Sequence, residues 1–380
     1  MEFVKTMTKN NNIFWCKNCL NMSTRPRIQF DDRGFCNACQ WSEKKKEYDW
    51  SKRQKYLKNL INKYKSVNSD FDCIVPVSGG KDGSYVAHTL KSKFNLRPLT
   101  VTSRPPLTLS VGDKNLENFV RSGYDHIHVT ANENSMQIIN KLGFIHMGFP
   151  YFGWLVSIFS VVIRTALTYK IPLIFYGENG EVEYGGNFQK DKLFLDPQDL
   201  EKIFLEGGYK KVLKLSKLSE KELYWFKLPK SFKRQKNKLH LTWWSCFEPW
   251  DSYRNYMVAK KFCNLQEYDE SNSGTFTNFA QTDQALYDLH TYMMYLKFGF
   301  GRATQDVGIE IRRGAMTRDQ GKSLVKIYDG KFPEHNLDLY LDYYQIKKKQ
   351  FFKILEKWTN KKLFSVKKNG YGFKAKFKII

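Results

Sequence analysis

The sequence predicts an α/β protein in which a small cysteine-rich ribbon precedes a parallel β-sheet and a mainly helical region follows it. Two pairs of cysteines lie near the start of the 380-residue chain. Short apolar runs then alternate with amphipathic segments as far as residue 176, a pattern typical of a parallel sheet covered by helices. Beyond residue 191 the pattern becomes mainly helical. These observations divide the chain into domains at 1–48, 49–190, 191–335 and 336–380.

The first domain carries two Cys-x-x-Cys pairs, Cys16 with Cys19 and Cys36 with Cys39. Two intervening residues let both sulfurs of a pair reach one ion, and the sixteen residues between the pairs are enough for a hairpin that joins them. We therefore expect a structural, tetrahedral zinc ribbon with no open coordination position. The alternatives are two disulfides, which a reducing compartment disfavours, or an iron-sulfur cluster.

The second domain is predicted to alternate strands and helices. The strands are expected at 72–77, 96–102, 126–129 and 172–176, and the helices at 50–66, 82–93, 112–123, 135–144 and 152–169. Crossover connections of this kind make neighbouring strands parallel. Because ligands of such sheets bind at the carboxyl ends of the strands, the polar residues that follow each strand form the candidate site.

The segment most informative about function lies where the first strand turns into a helix, and reads Ser78-Gly79-Gly80-Lys81-Asp82-Gly83-Ser84. Adjacent glycines let consecutive backbone N–H groups converge on an anion, and the helix N-terminus adds a positive dipole. The spacing differs from both G-x-x-x-x-G-K-[ST] and G-x-G-x-x-G. It resembles the S-G-G-x-D-S signature of the PP-loop ATP pyrophosphatases, with Gly83 where the last serine is expected. The alternative is a glycine-rich turn without a ligand.

Two further strand ends are expected to face the same crevice. Thr102 and Ser103 end the second strand, where an adenine and its ribose would lie. The segment after the fourth strand is rich in carboxylates, which could orient ammonia, hold Mg²⁺ or bind a sugar hydroxyl; the alternative is a polar loop that only turns the chain. The candidate ATP-binding residues are Ser78, Gly79, Gly80, Lys81, Asp82, Gly83, Ser84, Thr102 and Ser103. The candidate catalytic residues are Lys81, Asp82, Glu178, Asn179 and Glu183.

The C-terminal half offers two further clusters. Trp243, Trp244 and Trp250 could form a wall on which a sugar stacks, but an aromatic core cluster is the better interpretation. Arg302 and Asp306 belong to a charged group that either completes the site or forms ordinary surface ion pairs. The Lys-rich tail after residue 345 alternates with aromatic residues, which predicts that it docks on something.

The formal charge of +24 is concentrated in the segments 209–240 and 347–378. Such segments attract any polyanion, or are simply solvated faces, so charge alone decides nothing about a partner. Hydrophobic residues at 42% and aromatic residues at 16% exclude a disordered chain. The polar N-terminus and the short apolar run at 150–163 predict neither a secretory signal nor a transmembrane segment, so we expect a cytoplasmic protein.

Several segments taken together resemble the N-acetyl sugar amidotransferases, PP-loop enzymes of bacterial lipopolysaccharide and O-antigen biosynthesis. Besides the Ser78 loop, the segments are Cys16-Lys-Asn-Cys19, Thr24-Arg-Pro-Arg-Ile, Phe30-Asp-Asp-Arg-Gly-Phe-Cys-Asn-Ala-Cys, Tyr176-Gly-Glu-Asn and Glu183-Tyr-Gly-Gly. The likeness spans roughly residues 13–330 and implies a Rossmann-type PP-loop domain that uses ATP and Mg²⁺. It also implies conversion of an N-acetyl group on a nucleotide-activated sugar to an acetamidino group, with AMP and pyrophosphate as products.

The expected partners follow from this chemistry. An amide oxygen becomes a leaving group once the α-phosphate of ATP captures it, and ammonia can then attack the resulting O-adenylyl imidate. The chain has no G-x-C-x-G glutaminase motif and no cysteine at position 2. A separate glutaminase is therefore expected to supply ammonia, as the resemblance also implies, and an N-acetylated sugar is expected as the substrate in preference to a nucleic acid.

Two other functions remain open at this point. A tRNA-thiolating PP-loop enzyme can also carry zinc knuckles and a basic surface, but needs a reactive cysteine pair near the nucleotide or a further Cys-x-x-Cys set. A non-catalytic zinc-ribbon RNA-binding protein would bind RNA in a salt-sensitive manner without releasing pyrophosphate.

Overall fold

The computed structural model describes residues 13–65, 70–186, 193–195, 200–205, 207–229, 232, 239–367 and 371–379. Within these residues a four-cysteine ribbon, a five-stranded sheet and a helical C-terminal region pack against one another. The predicted α/β fold, with an N-terminal ribbon before the sheet and a mainly helical region after it, is confirmed.

The central sheet is parallel throughout and has the strand order β3-β2-β1-β4-β5. Its strands are β1 Cys73–Pro76, β2 Pro98–Ser103, β3 His126–Val129, β4 Leu173–Tyr176 and β5 His240–Trp243. The first four were predicted, whereas β5 was not. Because the order reverses between β1 and β4, the crevice beyond the carboxyl ends of these two strands is where such a sheet binds a ligand.

Helices cover the sheet and build the rest of the molecule. They are α1 Asn37–Glu47, α2 Trp50–Tyr64, α3 Lys81–Phe94, α4 Ser110–Arg121, α5 Glu133–Met147, α6 Phe152–Thr168, α7 Gly180–Glu183, α8 Tyr209–Ser216, α9 Ser252–Cys263, α10 Leu286–Phe298, α11 Arg302–Arg312, α12 Arg318–Tyr328, α13 Leu337–Tyr344 and α14 Lys348–Trp358. A hairpin of β6 Phe364–Val366 and β7 Phe373–Ala375 follows. None of the helices described combines the length and the hydrophobicity that crossing a bilayer requires.

The residues of each strand alternate between two cores. Cys73 and Val75 pack on one face with residues of α2 and α3, whereas Ile74 packs on the other face with residues of α5 and α6. This is the twofold alternation of a strand that is covered on both sides. The helix α6 is buried along most of its length, which accounts for the apolar run at 150–163.

The C-terminal tail folds back onto this core. Phe351 and Leu355 of α14 are fully buried in the same cluster as residues of α5 and α6. Phe364 of the hairpin packs with Met22 of the ribbon and Phe300 before α11. The tail was expected to dock on a surface, and that surface belongs to the protein itself. Its aromatic residues pack against both the sheet-covering helices and the ribbon.

We expect Phe351→Ala to lower the free energy of unfolding by about 3–5 kcal/mol, because it leaves a cavity in a fully buried site. Lys349→Ala, at an exposed position two residues earlier, should change it by no more than about 0.5 kcal/mol. Urea unfolding followed by tryptophan fluorescence measures both. Equal stability of the two variants would show that α14 is not part of the core.

Candidate active site

The turn between β1 and α3 has the conformation that an anion cradle requires. Gly79 has a φ of +83°, and a Cβ there would collide with the backbone of Asn115 and Leu116. Gly80 is the N-cap residue of α3 and no side chain caps the helix. The N–H groups of the first turn of α3 have no partner within the helix, so they are available to an anion.

Gly83 departs from the expected serine because α3 lies too close to β1 for a side chain. A Cβ at this position would lie 2.7 Å from the carbonyl oxygen of Pro76 and 3.1 Å from the Cα of Val77. Ser84 does not replace the missing hydroxyl, because its side chain is fully buried and does not line the cavity beside the loop. The loop therefore presents backbone groups, Ser78 and Lys81 to a ligand.

A cavity of about 320 Å³ opens beside this loop at the point where the strand order reverses. One wall is the loop itself, and the end of β4 contributes Glu178 and Tyr184. The opposite wall comes from the C-terminal half of the chain. It consists of Phe279, Ala280, Gln281, Thr282, Asp283, Tyr287, His290, Thr291, Met294, Arg302 and Gln305. The volume is within the range of about 300–1,000 Å³ that is usual for small-molecule sites.

The charged groups on the loop side are held in fixed positions. Lys81 and Asp82 form an ion pair, and the amide of Asn255 donates to Asp82 Oδ1 over 3.0 Å. The hydroxyl of Tyr184 donates to Glu178 Oε1 over 3.1 Å. Burial and the nearby charge of Asp82 raise the pKa of Glu178 to about 7. Glu178 can therefore both accept and donate a proton near neutral pH.

The opposite wall carries three groups of interest. Arg302 Nε donates to Asp306 Oδ1 over 2.8 Å, which fixes the guanidinium at the cavity surface. Burial lowers the pKa of His290 to about 3, so this imidazole is neutral at physiological pH. Burial raises the pKa of Asp283, although Ser78 and Lys81 oppose the shift. For Arg302 the sequence left open whether it completes the site or forms a surface ion pair, and the structure places it at the cavity. His290 and Asp283 were not identified from the sequence.

The structure brings together only some of the predicted catalytic residues. Lys81, Asp82 and Glu178 all line the cavity. Asn179 instead caps α7, where its side chain accepts from the N–H of Glu181 over 3.2 Å. Glu183 turns away from the cavity, and its carboxylate accepts from Trp41 Nε1 and Lys45 Nζ of α1, each over 2.8 Å. Both contacts give these residues a structural explanation, and their catalytic roles stay predictions.

The residues predicted to contact adenine and ribose are also engaged within the protein. Thr102 donates from its hydroxyl to the carbonyl of Val77. The hydroxyl of Ser103 lies 2.7 Å from that of Ser157, and both are buried. Neither residue lines the cavity. Trp243 and Trp244 are buried in the core, as the core interpretation predicted.

The four predicted cysteine ligands form one compact cluster. Their sulfurs lie within 4.8 Å of one another, with Cys16–Cys39, Cys19–Cys36 and Cys36–Cys39 separations of 3.7, 3.4 and 3.8 Å. A tetrahedral ion with metal-sulfur bonds of about 2.3 Å places its sulfurs about 3.8 Å apart, so the four side chains could hold one metal ion. The amides of Asn18 and Asn21 donate to the sulfurs over 3.4 Å each, which offsets thiolate charge.

The ribbon is docked on the segment that follows β4. Arg27 donates to both oxygens of Glu181, over 2.9 and 2.5 Å, and the amide of Asn37 donates to the carbonyl of Gly186. Thr24 donates to the carbonyl of Phe298 at the end of α10. The segments that carry the family resemblance therefore join the ribbon to both sides of the cavity.

A known family model matches the part of the chain that forms the C-terminal wall of the cavity. Residues 273–378 match the family model described as the C-terminal domain of LPS biosynthesis proteins that are WbpG-like. This match covers the C-terminal region only, and residues 273–378 are similar to that domain. This region contributes more than half of the cavity lining, including Arg302 and His290. The match agrees with the predicted relation to lipopolysaccharide biosynthesis, and the Ser78 loop lies between β1 and α3, as predicted.

The other comparisons are weaker. No curated protein is significantly similar in sequence. Among solved structures, the U34-tRNA thiolase NcsA from Methanococcus maripaludis shares 13% identity over 70% of this chain and 79% of its own, with a TM-score of 0.32. A predicted subunit of a tRNA methyltransferase from Methanocaldococcus jannaschii shares 16% identity over 58% and 86%, with a TM-score of 0.26. At these values neither likeness bears on the activity of this protein.

The close packing at Gly83 predicts that restoring the serine of the usual signature destabilises the protein. We expect Gly83→Ser to lower the free energy of unfolding by about 1–3 kcal/mol, because the side chain would overlap the Pro76 carbonyl. Gly80→Ala is the matched control, since a Cβ there comes no closer than 3.5 Å to Ser78 Oγ. Urea unfolding of both variants checks this; wild-type stability in Gly83→Ser would refute the packing argument.

Proposed function

We propose that the protein is an ATP-dependent amidotransferase that converts the N-acetyl group of a nucleotide-linked lipopolysaccharide sugar into an acetamidino group. The observation that carries the proposal is the composition of the cavity. The Ser78 loop, which has the geometry of an anion cradle, forms one wall, and residues that match the model of an LPS biosynthesis domain form the wall facing it. An enzyme that activates a sugar substituent with ATP needs these two surfaces opposite each other.

The loop side would hold ATP. The N–H groups at the start of α3 and the ammonium group of Lys81 would bind the β- and γ-phosphates and the pyrophosphate that leaves. The carboxylates of Asp82 and Asp283 flank the loop, and next to a polyanion they are favourable only with a shared cation, so they are the residues that would hold Mg²⁺. When bound, Mg²⁺ would spread the charge of the departing pyrophosphate.

The first step joins the amide to AMP. The carbonyl oxygen of the N-acetyl group attacks the α-phosphorus, the bond to the bridging oxygen breaks, and pyrophosphate leaves with the electron pair. The amide nitrogen loses its proton as the imidate forms. Glu178, with its pKa near 7, is the cavity carboxylate suited to accept that proton.

The second step replaces oxygen by nitrogen. Ammonia adds to the imidate carbon, the carbon-oxygen bond breaks, and AMP leaves with the electron pair. The three hydrogens of ammonia are shared between the two nitrogens, so the product forms directly as an amidinium ion. The sum is amide, ATP and ammonia giving amidinium, AMP, pyrophosphate and one proton, and this is the proton that Glu178 received in the first step and then releases to pyrophosphate or solvent.

The remaining parts of the proposal concern the ion and the partners. We propose Zn²⁺ for the four-cysteine cluster, because four buried thiolates leave no open position and the cluster lies outside the cavity. A separate glutaminase would supply the ammonia in the cytoplasm.

The position of the cysteines argues against the thiolation alternative. A tRNA-thiolating enzyme needs a reactive cysteine pair beside its nucleotide or a further Cys-x-x-Cys set, and the sequence contains no third Cys-x-x-Cys pair. Cys73 and Cys263 are buried in the core, and Cys246 packs against the same core. In the described part of the chain, no cysteine lines the cavity. The non-catalytic alternative differs in a simpler way, since it predicts no release of pyrophosphate.

The assay that tests the function combines ATP, Mg²⁺, an ammonium salt and a panel of N-acetylated nucleotide sugars. We expect AMP release that depends on one of the sugars and a product in which NH replaces a carbonyl oxygen, read by mass spectrometry. Asp82→Ala should abolish AMP formation, because it removes a carboxylate of the loop. Asp125→Ala, at an exposed position, is the control. Pyrophosphate release only with tRNA and a sulfur donor would overturn the proposal.

The role of Glu178 predicts the pH dependence. Because its pKa is raised to about 7, the carboxylate that accepts the amide proton is lost below neutral pH, and turnover should rise from pH 6 to 8 with an apparent pKa near 7. Glu178→Gln should lower turnover about 10²–10⁴-fold and remove this rise. Glu117→Gln, on the exposed side of α4, should keep the wild-type profile. An unchanged profile in Glu178→Gln would exclude it as the base.

A further inference from the structure

A second, smaller cavity lies between the ribbon and the C-terminal helices. Ser42 and Lys45 of α1 form one side, and Ser252 at the start of α9 and Ile309 of α11 form the others. Its volume is about 70 Å³, whereas a water molecule in the liquid takes up about 30 Å³. It has room for about two molecules of that size, and none for a sugar or a nucleotide.

Only a thin wall separates this space from the active-site cavity. The Tyr184 side chain lines both cavities, and its hydroxyl donates to Glu178 Oε1 over 3.1 Å. Trp250 also lines the small cavity, on the side of Gly177 and the Ser78 loop. A Cβ on Gly177 would lie 3.2 Å from the Trp250 ring and 3.5 Å from the Cβ of Asp82, so only a glycine stands between this ring and the loop.

The charged side chains around the small cavity leave none of its carboxylates free for a cation. Its two carboxylates are already committed: Glu183 accepts from Trp41 and Lys45, and Asp251 caps α9 by accepting from two backbone N–H groups over 2.9 Å each. Lys45, Arg312 and Arg313 also line it, with Lys45 paired with Glu183 and Arg313 paired with Glu310. The lining therefore offers ammonium no uncommitted carboxylate that would retain it, whereas its neutral conjugate base needs none.

We propose that the small cavity is the entry site for ammonia, and that Tyr184 and Trp250 form the wall past which ammonia reaches the imidate carbon. This inference rests on the proposed function. It assigns the delivery of ammonia to the small cavity, which the ribbon helps to form. It also explains why a small polar space lies next to Glu178 and has no carboxylate left to retain ammonium.

The test separates the two half-reactions in the full-length protein. Ser252→Phe places a benzyl group in the small cavity, and Ser92→Phe, at an exposed position at the far end of α3, is the matched control. Sugar-dependent exchange of labelled pyrophosphate into ATP, measured without ammonia, reports the first step. Amidine formation with ammonium chloride and the ratio of AMP to amidine report the second.

In Ser252→Phe we expect unchanged pyrophosphate exchange, a KM for ammonium at least about tenfold higher, and more AMP released per amidine as water hydrolyses the waiting intermediate. Ser92→Phe should match the wild type in all three. An unchanged KM and AMP ratio in Ser252→Phe would overturn the ammonia route while leaving the proposed function intact. Absence of sugar-dependent exchange in the wild type would instead overturn the proposed function.

A second variant covers the case in which Ser252→Phe fails to fold. Ile309→Ala widens the small cavity. It should raise the rate with methylamine relative to ammonia several-fold, giving an N-methyl amidine that mass spectrometry detects, and pyrophosphate exchange should not change. A methylamine-to-ammonia ratio equal to that of the wild type would also overturn the route.

Discussion

The docking of the ribbon on the segment after β4 is the contact on which the site depends. Three carboxylates occur within six residues of that segment, and the ribbon engages two of them: Arg27 pairs with Glu181, while Trp41 and Lys45 hold Glu183. Only Glu178 is left to face the active-site cavity. A metal ion in the cysteine cluster would therefore shape the site from outside it, because it fixes the start of α1 and thereby the direction in which the segment turns.

The same docking sets the electrostatics of the cavity. Burial and the nearby charge of Asp82 raise the pKa of Glu178, and Lys81, which is paired with Asp82, opposes this shift only in part. Arg302 approaches from the opposite wall with its own partner, Asp306. With Asp283, four carboxyl groups therefore face two cations at this site before any ligand enters. A nucleotide brings several negative charges, so these carboxylates favour its binding only when a divalent cation accompanies it.

Features of the fold that depend on residues close together in sequence could be predicted, whereas features that depend on distant residues could not. Apolar residues that recur every 2 or every 3.6 positions form local patterns, and these patterns predicted four of the strands and the helices around them. The loop at Ser78 and the spacing of the cysteines are also local features. The strand β5 was missed because its short apolar run follows a long polar stretch. His290 and Asp283 were missed because a histidine and an aspartate in a helical region carry no signal that they face a cavity.

The limit of prediction from the sequence is clearest in the question of which carboxylate, Glu178 or Glu183, faces the cavity. Both follow the same strand, and nothing within that segment distinguishes them. What decides is a hydrogen bond from Trp41, which lies 142 residues away in sequence. Thr102 and Ser103 are a similar case, since their hydroxyls turn inward to Val77 and Ser157, and that preference depends on helices packed against the strand.

The division of the cavity between two parts of the chain bears on how its specificity arises. In the proposed function the loop and the sheet would bind any nucleotide, because the backbone N–H groups that would contact its phosphates are present in every sequence. Discrimination between acceptors requires side chains, and on α10 and α11 the neutral imidazole of His290, the ring of Tyr287 and the fixed guanidinium of Arg302 line the cavity opposite the loop. In that proposal this opposite wall, more than the loop, would decide which molecule is adenylylated.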